Sequence, residues 1–327
     1  MIDNLTLHPL DPRFVAPKPE QEAPEGRIGE LDALGRLIIT RKRDGYGGLV
    51  VATNSKKAPL ELYTRSVAAI GGKFPYLVDA LRSIAIPKRT LVMCELYWTD
   101  ADGNEDLGVF SRFAKSADPR AALLQSELGS ARAMLFTPLV AKGKDVSGVP
   151  YRDRSAMIGE WLNKRPHPLV TPMEHLPYGF DALKDRVVKE RWEGLVLYDG
   201  DATTGFRIDG EHDRPPRPDG CWKWKPIFED DFIATKFEPG TGRNTGLAGK
   251  IYIAQIDPRT KETVPCGEVP LHAREHKRFF AEATYPMVVQ VEYEIRTPKG
   301  ALRTAKVLRV RDDKSIGACL LPPRHQK

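Results

Sequence analysis

The stretch Thr40-Arg41-Lys42-Arg43-Asp44-Gly45 places a lysine between two apolar runs, residues 37–40 and 49–54. Aliphatic and β-branched residues dominate both runs, so the sequence predicts a strand on each side. A lysine at a strand end, next to a turn-forming Asp-Gly pair, can project into a pocket. Taken alone, the same residues also describe a hairpin turn with a solvated lysine. The rest of the sequence has to decide between a nucleophile and a surface charge.

Strand-like and helical patterns alternate on either side of this stretch. Residues 1–26 are rich in Pro and Glu and predict an extended arm. The patterns predict further strands at residues 60–64, 90–98, 133–140, 194–198 and 221–225, and helices at 73–83, 119–129, 151–164 and 180–190. A loop rich in Gly, Asp, Arg and Pro separates the last two of these strands. Long loops in compact domains usually have a functional role.

The last 96 residues differ from the rest of the chain in their predicted secondary structure, which is mostly strand, and in their net charge. Strands are predicted at residues 232–237, 250–256, 287–296 and 301–311, with one helix at 273–283, which suits a small barrel of OB type. From residue 232 onward, 17 Lys and Arg face 10 Asp and Glu, whereas the rest of the chain is close to neutral. A basic terminal domain suggests a polyanionic partner such as nucleic acid.

Composition excludes several classes of protein. The 327 residues contain 41% hydrophobic and 29% charged residues, which is the profile of a soluble globular protein. No apolar run approaches the ~18 residues that span a bilayer, and the first residues have no signal-peptide pattern. The four cysteines are scattered without a CxxC pair, so neither a disulfide framework nor a structural zinc site is expected. A cytoplasmic protein that makes no membrane contact is predicted.

Charged and aromatic residues follow Lys42 in a defined order along the predicted strands. The members of this series are Arg65, Glu95, Phe136, Glu193, the paired lysines Lys223 and Lys225, and the pair Arg311 and Lys314. From about residue 37 to residue 314, the series resembles the ATP-dependent DNA ligases of the covalent nucleotidyltransferase superfamily. Residues 42–45 are similar to the family's KxDG motif, and residues 311–314 to its RxDK motif. The compact length is most similar to small bacteriophage two-domain ligases.

The resemblance implies a fold and a division into domains. An α+β nucleotidyltransferase (adenylation) domain, made of antiparallel sheets with flanking helices, would occupy residues 1–230 together with the short N-terminal arm. An OB-fold β-barrel would occupy residues 231–327. The implied activity is sealing of 5′-phosphate/3′-hydroxyl nicks in double-stranded DNA, with ATP as cofactor, and the protein is expected to act as a monomer.

The resemblance also assigns roles to individual residues. Lys42 would carry AMP, and Lys223 and Lys225 would contact the α-phosphate. Glu193 would hold Mg²⁺, for which Mn²⁺ is a substitute, and Glu95 would bind the ribose or orient a water of the metal. The remaining positions would contact the nucleotide or the transferred phosphate. Thr40 and Phe136 would contact adenine, and Arg65 would contact the 5′-phosphate or AMP. Arg217 in the loop would contact a phosphate, and Arg311 with Lys314 would contact pyrophosphate. From the residues alone, Thr40 and Phe136 are equally well explained as strand and core positions.

The sequence departs from the family pattern in four places. Gly47 stands where the family usually has an arginine five residues after the lysine, and Met93-Cys94-Glu95 stands where its acidic motif reads Asp-Gly-Glu. Thr137 and Val67 replace a common aspartate and a common glycine. Because this arginine is missing, we expect another group to contact the ribose or the nick, and Arg43 is a candidate.

Other functions use part of the same pattern. An NAD-dependent ligase would need a nicotinamide-binding domain and a four-cysteine zinc module, which the sequence lacks. An mRNA-capping guanylyltransferase uses the same lysine chemistry with GTP, and an RNA ligase has related motifs. A non-enzymatic OB-type DNA-binding protein is the alternative from a different class, but it would not need two carboxylates and three lysines at these positions.

Overall fold

The computed structural model describes residue 19 and residues 23–203, 219–297 and 300–322. The chain divides into two compact units, with the boundary between Trp224 and Lys225. Most of the arm predicted at residues 1–26 lies outside the described residues. No helix in the described ranges has both the length and the apolar content required to cross a membrane.

In its described residues the first unit contains two β-sheets and six α-helices. A three-stranded antiparallel sheet has the order β1-β8-β9, and a larger sheet has the order β3-β2-β4-β5-β6, with β7 parallel to β5. The strands are β1 (Leu37–Lys42), β2 (Tyr46–Ala52), β3 (Leu60–Thr64), β4 (Thr90–Tyr97), β5 (Arg132–Ala141), β6 (Lys144–Asp145), β7 (Val170–Pro172), β8 (Gly194–Asp199) and β9 (Cys221–Trp224). The helices are α1 (Arg27–Ala33), α2 (Pro75–Ser83), α3 (Leu107–Lys115), α4 (Asp118–Leu128), α5 (Tyr151–Lys164) and α6 (Phe180–Glu190). The predictions of α2, α4, α5 and α6 are confirmed, whereas α1 and α3 were not predicted.

Both faces of the three-stranded sheet carry apolar side chains. Successive side chains of a strand point to opposite faces, and alternate residues of this sheet (Ile39, Leu195 and Trp222) are buried against α1 and α6. The opposite face carries Thr40 and Lys42. Part of this second face is apolar as well, since Ile38, Val196 and Tyr198 pack with Tyr151 of α5. Lys42 is the last residue of β1 and lies at the end of that face.

The larger sheet supports the main core of the first unit. Its apolar side chains, including Val50, Val92 and Leu135, pack with Phe74 of the segment before α2 and with Phe110 of α3. Phe74 and Phe110 stack with ring centroids 5.5 Å apart. Burial of these aromatic and aliphatic side chains holds the strand ends of the sheet in fixed positions.

The second unit is a five-stranded antiparallel sheet of order β12-β11-β10-β13-β16, with a small separate hairpin and one helix. Its elements are β10 (Phe228–Pro239), β11 (Ala248–Ile256), β12 (Thr263–Pro270), α7 (Arg274–Glu282), β13 (Met287–Tyr293), the hairpin β14 (Ile295–Arg296) and β15 (Leu302–Arg303), and β16 (Lys306–Val310). β12 was not predicted. The predicted strands 287–296 and 301–311 are each interrupted, because the hairpin separates from the main sheet.

The predicted OB-type antiparallel domain is confirmed, although β12 was missed and the strands of the described residues do not close into a barrel. Among the described residues, no ladder of hydrogen bonds joins the edge strands β12 and β16. The hairpin segment lies against β12 instead, since a Cβ added at Gly267 would lie 3.2 Å from the Cβ of Ala301. Irregularities in the pairing of β10 with β11 and of β11 with β12 bend the sheet without closing it.

Candidate functional site

The Asp44-Gly45 turn carries the chain from one sheet to the other. β1 pairs with β8, whereas β2 pairs with β3 and β4. The hairpin interpretation of this turn is therefore wrong, because its two strands are not partners. Gly45 is required where the chain crosses, since a Cβ at this position would lie 2.2 Å from the carbonyl oxygen of Leu96. Lys42 consequently lies where the two sheets of the first unit meet.

A carboxylate that sequence reasoning missed fixes this turn. Glu105 accepts hydrogen bonds from the Arg43 guanidinium at 2.6 Å and from the backbone N–H of Asp44 at 2.8 Å. It also forms an ion pair with Arg41 at 2.9 Å. Arg43 additionally lies over the ring of Tyr97, 5.0 Å from its centroid. Arg43 is thus engaged with Glu105, which weakens its candidacy as a substitute for the missing arginine.

Lys42 forms an ion pair with Glu193. The Lys42 Nζ lies 2.5 Å from the Glu193 Oε2, and the side chains are 23% and 10% exposed. The pairing of β1 with β8 explains this contact, because Lys42 is opposite Gly194, the residue after Glu193. The pattern of the sequence did predict both residues, but not that their side chains meet directly.

Lys223 lies on the same sheet face as Lys42. Val196 is the register partner of both Thr40 and Lys223, so the three residues form one row across the sheet. Residues directly opposite each other on antiparallel strands point to the same side, and Lys42 follows Thr40 by two residues. The Thr40 hydroxyl donates to the Val196 carbonyl oxygen at 3.2 Å and is fully buried. Thr40 therefore has a structural hydrogen bond at the place where an adenine contact was predicted.

Glu95 and Arg65 approach Lys42 from the larger sheet. Gly47 is the register partner of Glu95, and its carbonyl oxygen accepts a hydrogen bond from the Arg65 N–H at 2.9 Å. A Cβ at Gly47 would lie 3.5 Å from an Arg65 guanidinium nitrogen, so the Arg65 side chain covers this glycine. The space next to position 47, where the family has an arginine, is thus occupied by Arg65.

The electrostatics of Glu95 place these charges in one cluster. Burial raises the pKa of Glu95 to about 8; the Lys42 and Arg65 charges oppose this rise, and Glu193 adds to it. Burial lowers the pKa of Arg65, and the Glu95 carboxylate acts against that change. Two carboxylates and two cations from the two sheets therefore influence one another at this site.

Phe136 occupies an irregular position on β5. Leu135 pairs with Cys94 and Thr137 pairs with Met93, so Phe136 is the extra residue of a bulge. β-bulges redirect side chains and are frequent beside active sites. The half-buried Phe136 ring packs against two apolar clusters, one of which contains Met134, Met173 and Tyr198 together with Val196. Phe136 therefore packs against the same cluster as Val196, the register partner of Lys223.

Three of the other predicted cations, Lys225, Arg311 and Lys314, lie in the second unit. β9 ends at Trp224, so Lys225 lies one residue beyond the strand on which both lysines were predicted, and its ammonium pairs with Glu294 at 2.6 Å. Arg311 and Lys314 follow β16, and both pair with Asp231. Arg217 lies outside the described residues.

The donor set suits a metal ion that a nucleotide also coordinates. Across residues 23–203, 219–297 and 300–322, no group of three or more His, Cys, Asp or Glu side chains is arranged to hold a metal ion. Mg²⁺ typically takes one or two carboxylates and completes its octahedron with waters and substrate phosphates. Glu193 and Glu95 fit that requirement, since they supply two carboxylates within one charge cluster.

A separate cavity of about 580 Å³ lies along α5 and the start of β1. Its lining includes Gly35, Ile38, Ser155, Gly159, Met173 and His175. Lys42 is not part of this lining, so the cavity is distinct from the charge cluster.

Comparison with known proteins finds sequence relatives and solved structures that are named DNA ligases. No protein-family model matches the chain. A probable DNA ligase of Beutenbergia cavernae is 26% identical over 330 residues, covering 93% of this chain and 60% of the relative. A DNA ligase of Thermococcus onnurineus is 24% identical over 298 residues, covering 83% of this chain and 51% of the relative. The chain thus spans between about half and three fifths of the length of these relatives.

Solved structures agree with the sequence relatives. A structure from a study of Lig E DNA ligases superposes with a TM-score of 0.62 and 17% identity, covering 91% of this chain and 99% of that chain. The two-domain ligase fold is confirmed. A mycobacterial DNA ligase D complexed with ATP and MES has a TM-score of 0.51 and 17% identity, covering 93% of this chain and 97% of that chain. The resemblance to DNA ligases that the motifs indicated is therefore found in both sequence and fold.

Proposed function

We propose that this protein is an ATP-dependent DNA ligase that seals 5′-phosphate/3′-hydroxyl nicks in duplex DNA. The convergence of Lys42, Glu193 and Glu95 from two sheets is the observation that carries the proposal. A surface lysine would not need two partly buried carboxylates around it. The names of the sequence relatives favour a DNA ligase over a capping enzyme or an RNA ligase.

The proposed reaction has three balanced steps. First, the deprotonated Lys42 amine attacks the α-phosphorus of ATP, so that a P–N bond forms and pyrophosphate leaves. A 5′-phosphate oxygen at the nick then attacks the same phosphorus, which breaks the P–N bond and returns the amine. Finally the 3′-hydroxyl attacks the activated 5′-phosphate and AMP leaves. Phosphoryl transfer depends chiefly on positioning and on neutralising charge.

The residues around Lys42 would divide this work. Phe136 would stack on the adenine ring, and Lys223 would neutralise the α-phosphate. Arg65 would contact the ribose or the transferred phosphate, because it covers Gly47 beside Glu95. Glu193 and Glu95 would hold Mg²⁺ or orient its waters, and bound Mg²⁺ would neutralise charge on the phosphates.

Covalent labelling tests the proposed function directly. Incubation with [α-³²P]ATP should label the protein, whereas [α-³²P]GTP should not. The labelled protein should then transfer its AMP to a nicked duplex and seal it. Labelling by GTP alone would indicate a capping enzyme, and labelling by neither nucleotide would indicate a non-catalytic DNA-binding protein.

Salt should weaken DNA binding far more than it slows adenylylation. The residues from 232 onward carry an excess of seven positive charges, and a duplex held through its phosphates releases counterions on binding. With about four to eight phosphate contacts, log affinity against log salt should have a slope of roughly −4 to −7, at about −0.9 per contact. Gel shifts on a nicked duplex, run beside labelling by free ATP, measure both responses. A flat affinity curve, or an adenylylation rate that falls in parallel, would contradict phosphate clamping by this basic part of the chain.

A further inference from the structure

Asp231 is a carboxylate of the second unit that holds two cations together. It accepts a hydrogen bond from the Arg311 guanidinium at 3.2 Å and another from the Lys314 ammonium. The Asp231 and Arg311 side chains are each only 13% exposed, whereas Lys314 is 37% exposed. The more exposed of the two cations is therefore held by a carboxylate that is largely shielded from water.

The Asp231 carboxylate belongs to a central strand of the sheet, β10. β10 lies between β11 and β13, and Asp231 is the register partner of Gln290. The fully buried Gln255 donates from its side-chain amide to the Asp231 carbonyl oxygen at 3.0 Å. The neighbouring Asp230 accepts a hydrogen bond from the Tyr293 hydroxyl at 2.5 Å. Two adjacent carboxylates thus have different partners, and Asp231 is the one that contacts the cations.

The two cations differ in how fully their donors are used. Arg311 donates to Asp313 through two nitrogens, at 2.7 and 2.6 Å, in addition to its bond with Asp231. The ammonium of Lys314 has three donors, and Asp231 accepts one of them. Lys314 can therefore keep its contact with Asp231 while it donates to another anion.

We propose that Asp231 is a positioning residue for the pyrophosphate end of ATP. This inference rests on the proposed function and on the sequence resemblance, which implies that Arg311 and Lys314 meet that part of the nucleotide. The carboxylate offsets the repulsion between two cations that lie three residues apart, and it restricts the flexible four-carbon stem of Lys314. Lys314 is then preorganised to receive a phosphate oxygen, which reduces the entropy lost on binding.

The test compares Asp231→Asn with Glu229→Gln, a matched control that removes an exposed carboxylate of the same strand, whose partner is Gln290. Asp231→Asn should slow adenylylation by ATP about tenfold to a hundredfold, as expected for the loss of charge-assisted hydrogen bonds. In the reverse reaction, the KM for pyrophosphate should rise at least fivefold. Sealing of a pre-adenylylated nick should stay within about twofold, because that step involves no pyrophosphate. Glu229→Gln should stay within about twofold of wild type in all three assays.

A double variant shows whether Asp231 acts through Lys314. Asp231→Asn combined with Lys314→Met should be no slower in adenylylation than Lys314→Met alone, because residues that act as a unit are not additive. Additive losses, an unchanged KM for pyrophosphate, or equal losses in all steps would overturn the proposal. If Asp231→Asn fails to fold, Asp231→Glu keeps the charge on a longer stem and should raise the same KM about threefold; an unchanged KM in that variant would overturn it as well.

The wild-type protein separates this inference from the proposed function. If wild type forms no covalent AMP, the proposed function fails and the role of Asp231 fails with it. If wild type is adenylylated and Asp231→Asn reacts at the same rate, only the role of Asp231 fails.

Discussion

Lys42→Ala is expected to abolish covalent labelling by ATP and to leave sealing of a pre-adenylylated nick within about tenfold of wild type. The amine is the group that bonds to phosphorus in the first step, and it has no bonding role once AMP is on the DNA. Lys42→Arg should also fail to label, because a guanidinium stays protonated at any working pH. Gel analysis after incubation with [α-³²P]ATP measures the first effect, and a synthetic adenylylated nick measures the second.

The matched control for Lys42 is Lys57→Ala, which removes an exposed lysine from the same unit. It should label and seal at the wild-type rate. Residual labelling of a folded Lys42→Ala variant would assign the nucleophile to another residue, of which Lys223 is the nearest candidate on that sheet face. A complete loss of sealing on the pre-adenylylated nick would mean that Lys42 contributes to the later steps as well.

Glu193→Ala should lower the rate of every step by about a hundredfold to a thousandfold. A carboxylate that holds Mg²⁺ affects charge neutralisation throughout the reaction, and losing several kcal/mol of such stabilisation has a rate effect of this size. Lys314→Ala, by contrast, should impair mainly adenylylation. Single-turnover rates for each step, measured across a range of Mg²⁺ concentrations, distinguish the two patterns.

Glu190→Gln serves as the control for Glu193, because it removes a nearby carboxylate that pairs with Arg186 on the surface of α6. Its rates should match wild type. The ion pair with Lys42 offers a different explanation for a Glu193 defect, namely that the carboxylate serves only the nucleophile. In that case Glu193→Ala would lose adenylylation alone, and its sealing of a pre-adenylylated nick would remain near the wild-type rate.

The sequence predicted most helices and strands because their periodicities are unambiguous. The helices at residues 151–164 and 180–190 have the predicted bounds. α3 was missed although it is amphipathic, since it directly precedes α4 and the loop before it offered no strong start signal beyond Asp106. That residue does cap α3, through hydrogen bonds from the backbone N–H groups of Gly108 and Val109.

The candidate site was predictable in its members and not in its connections. Lys42, Glu193 and Glu95 could be selected because their residue types occur in a known order. Sequence alone could not show that β1 and β2 belong to different sheets, since a turn motif contains no information about long-range pairing. The role of Glu105 was hidden for the same reason, because it lies about 60 residues from the two arginines that it binds. The bulge at Phe136 depends on the register of β4 against β5, which periodicity does not determine.

The pairing of β1 with β8 has a consequence for the order in which the chain folds. Lys42 lies opposite Gly194, so more than 150 residues separate the two strands that hold the nucleophile. Contacts between such distant segments form late, because closing a long loop costs entropy before the contact stabilises the chain. During synthesis, β1 has no sheet partner until β8 has left the ribosome, and Lys223 follows later still. The larger sheet can therefore assemble first, and under the proposed function the chain would accept AMP only when the first unit is complete.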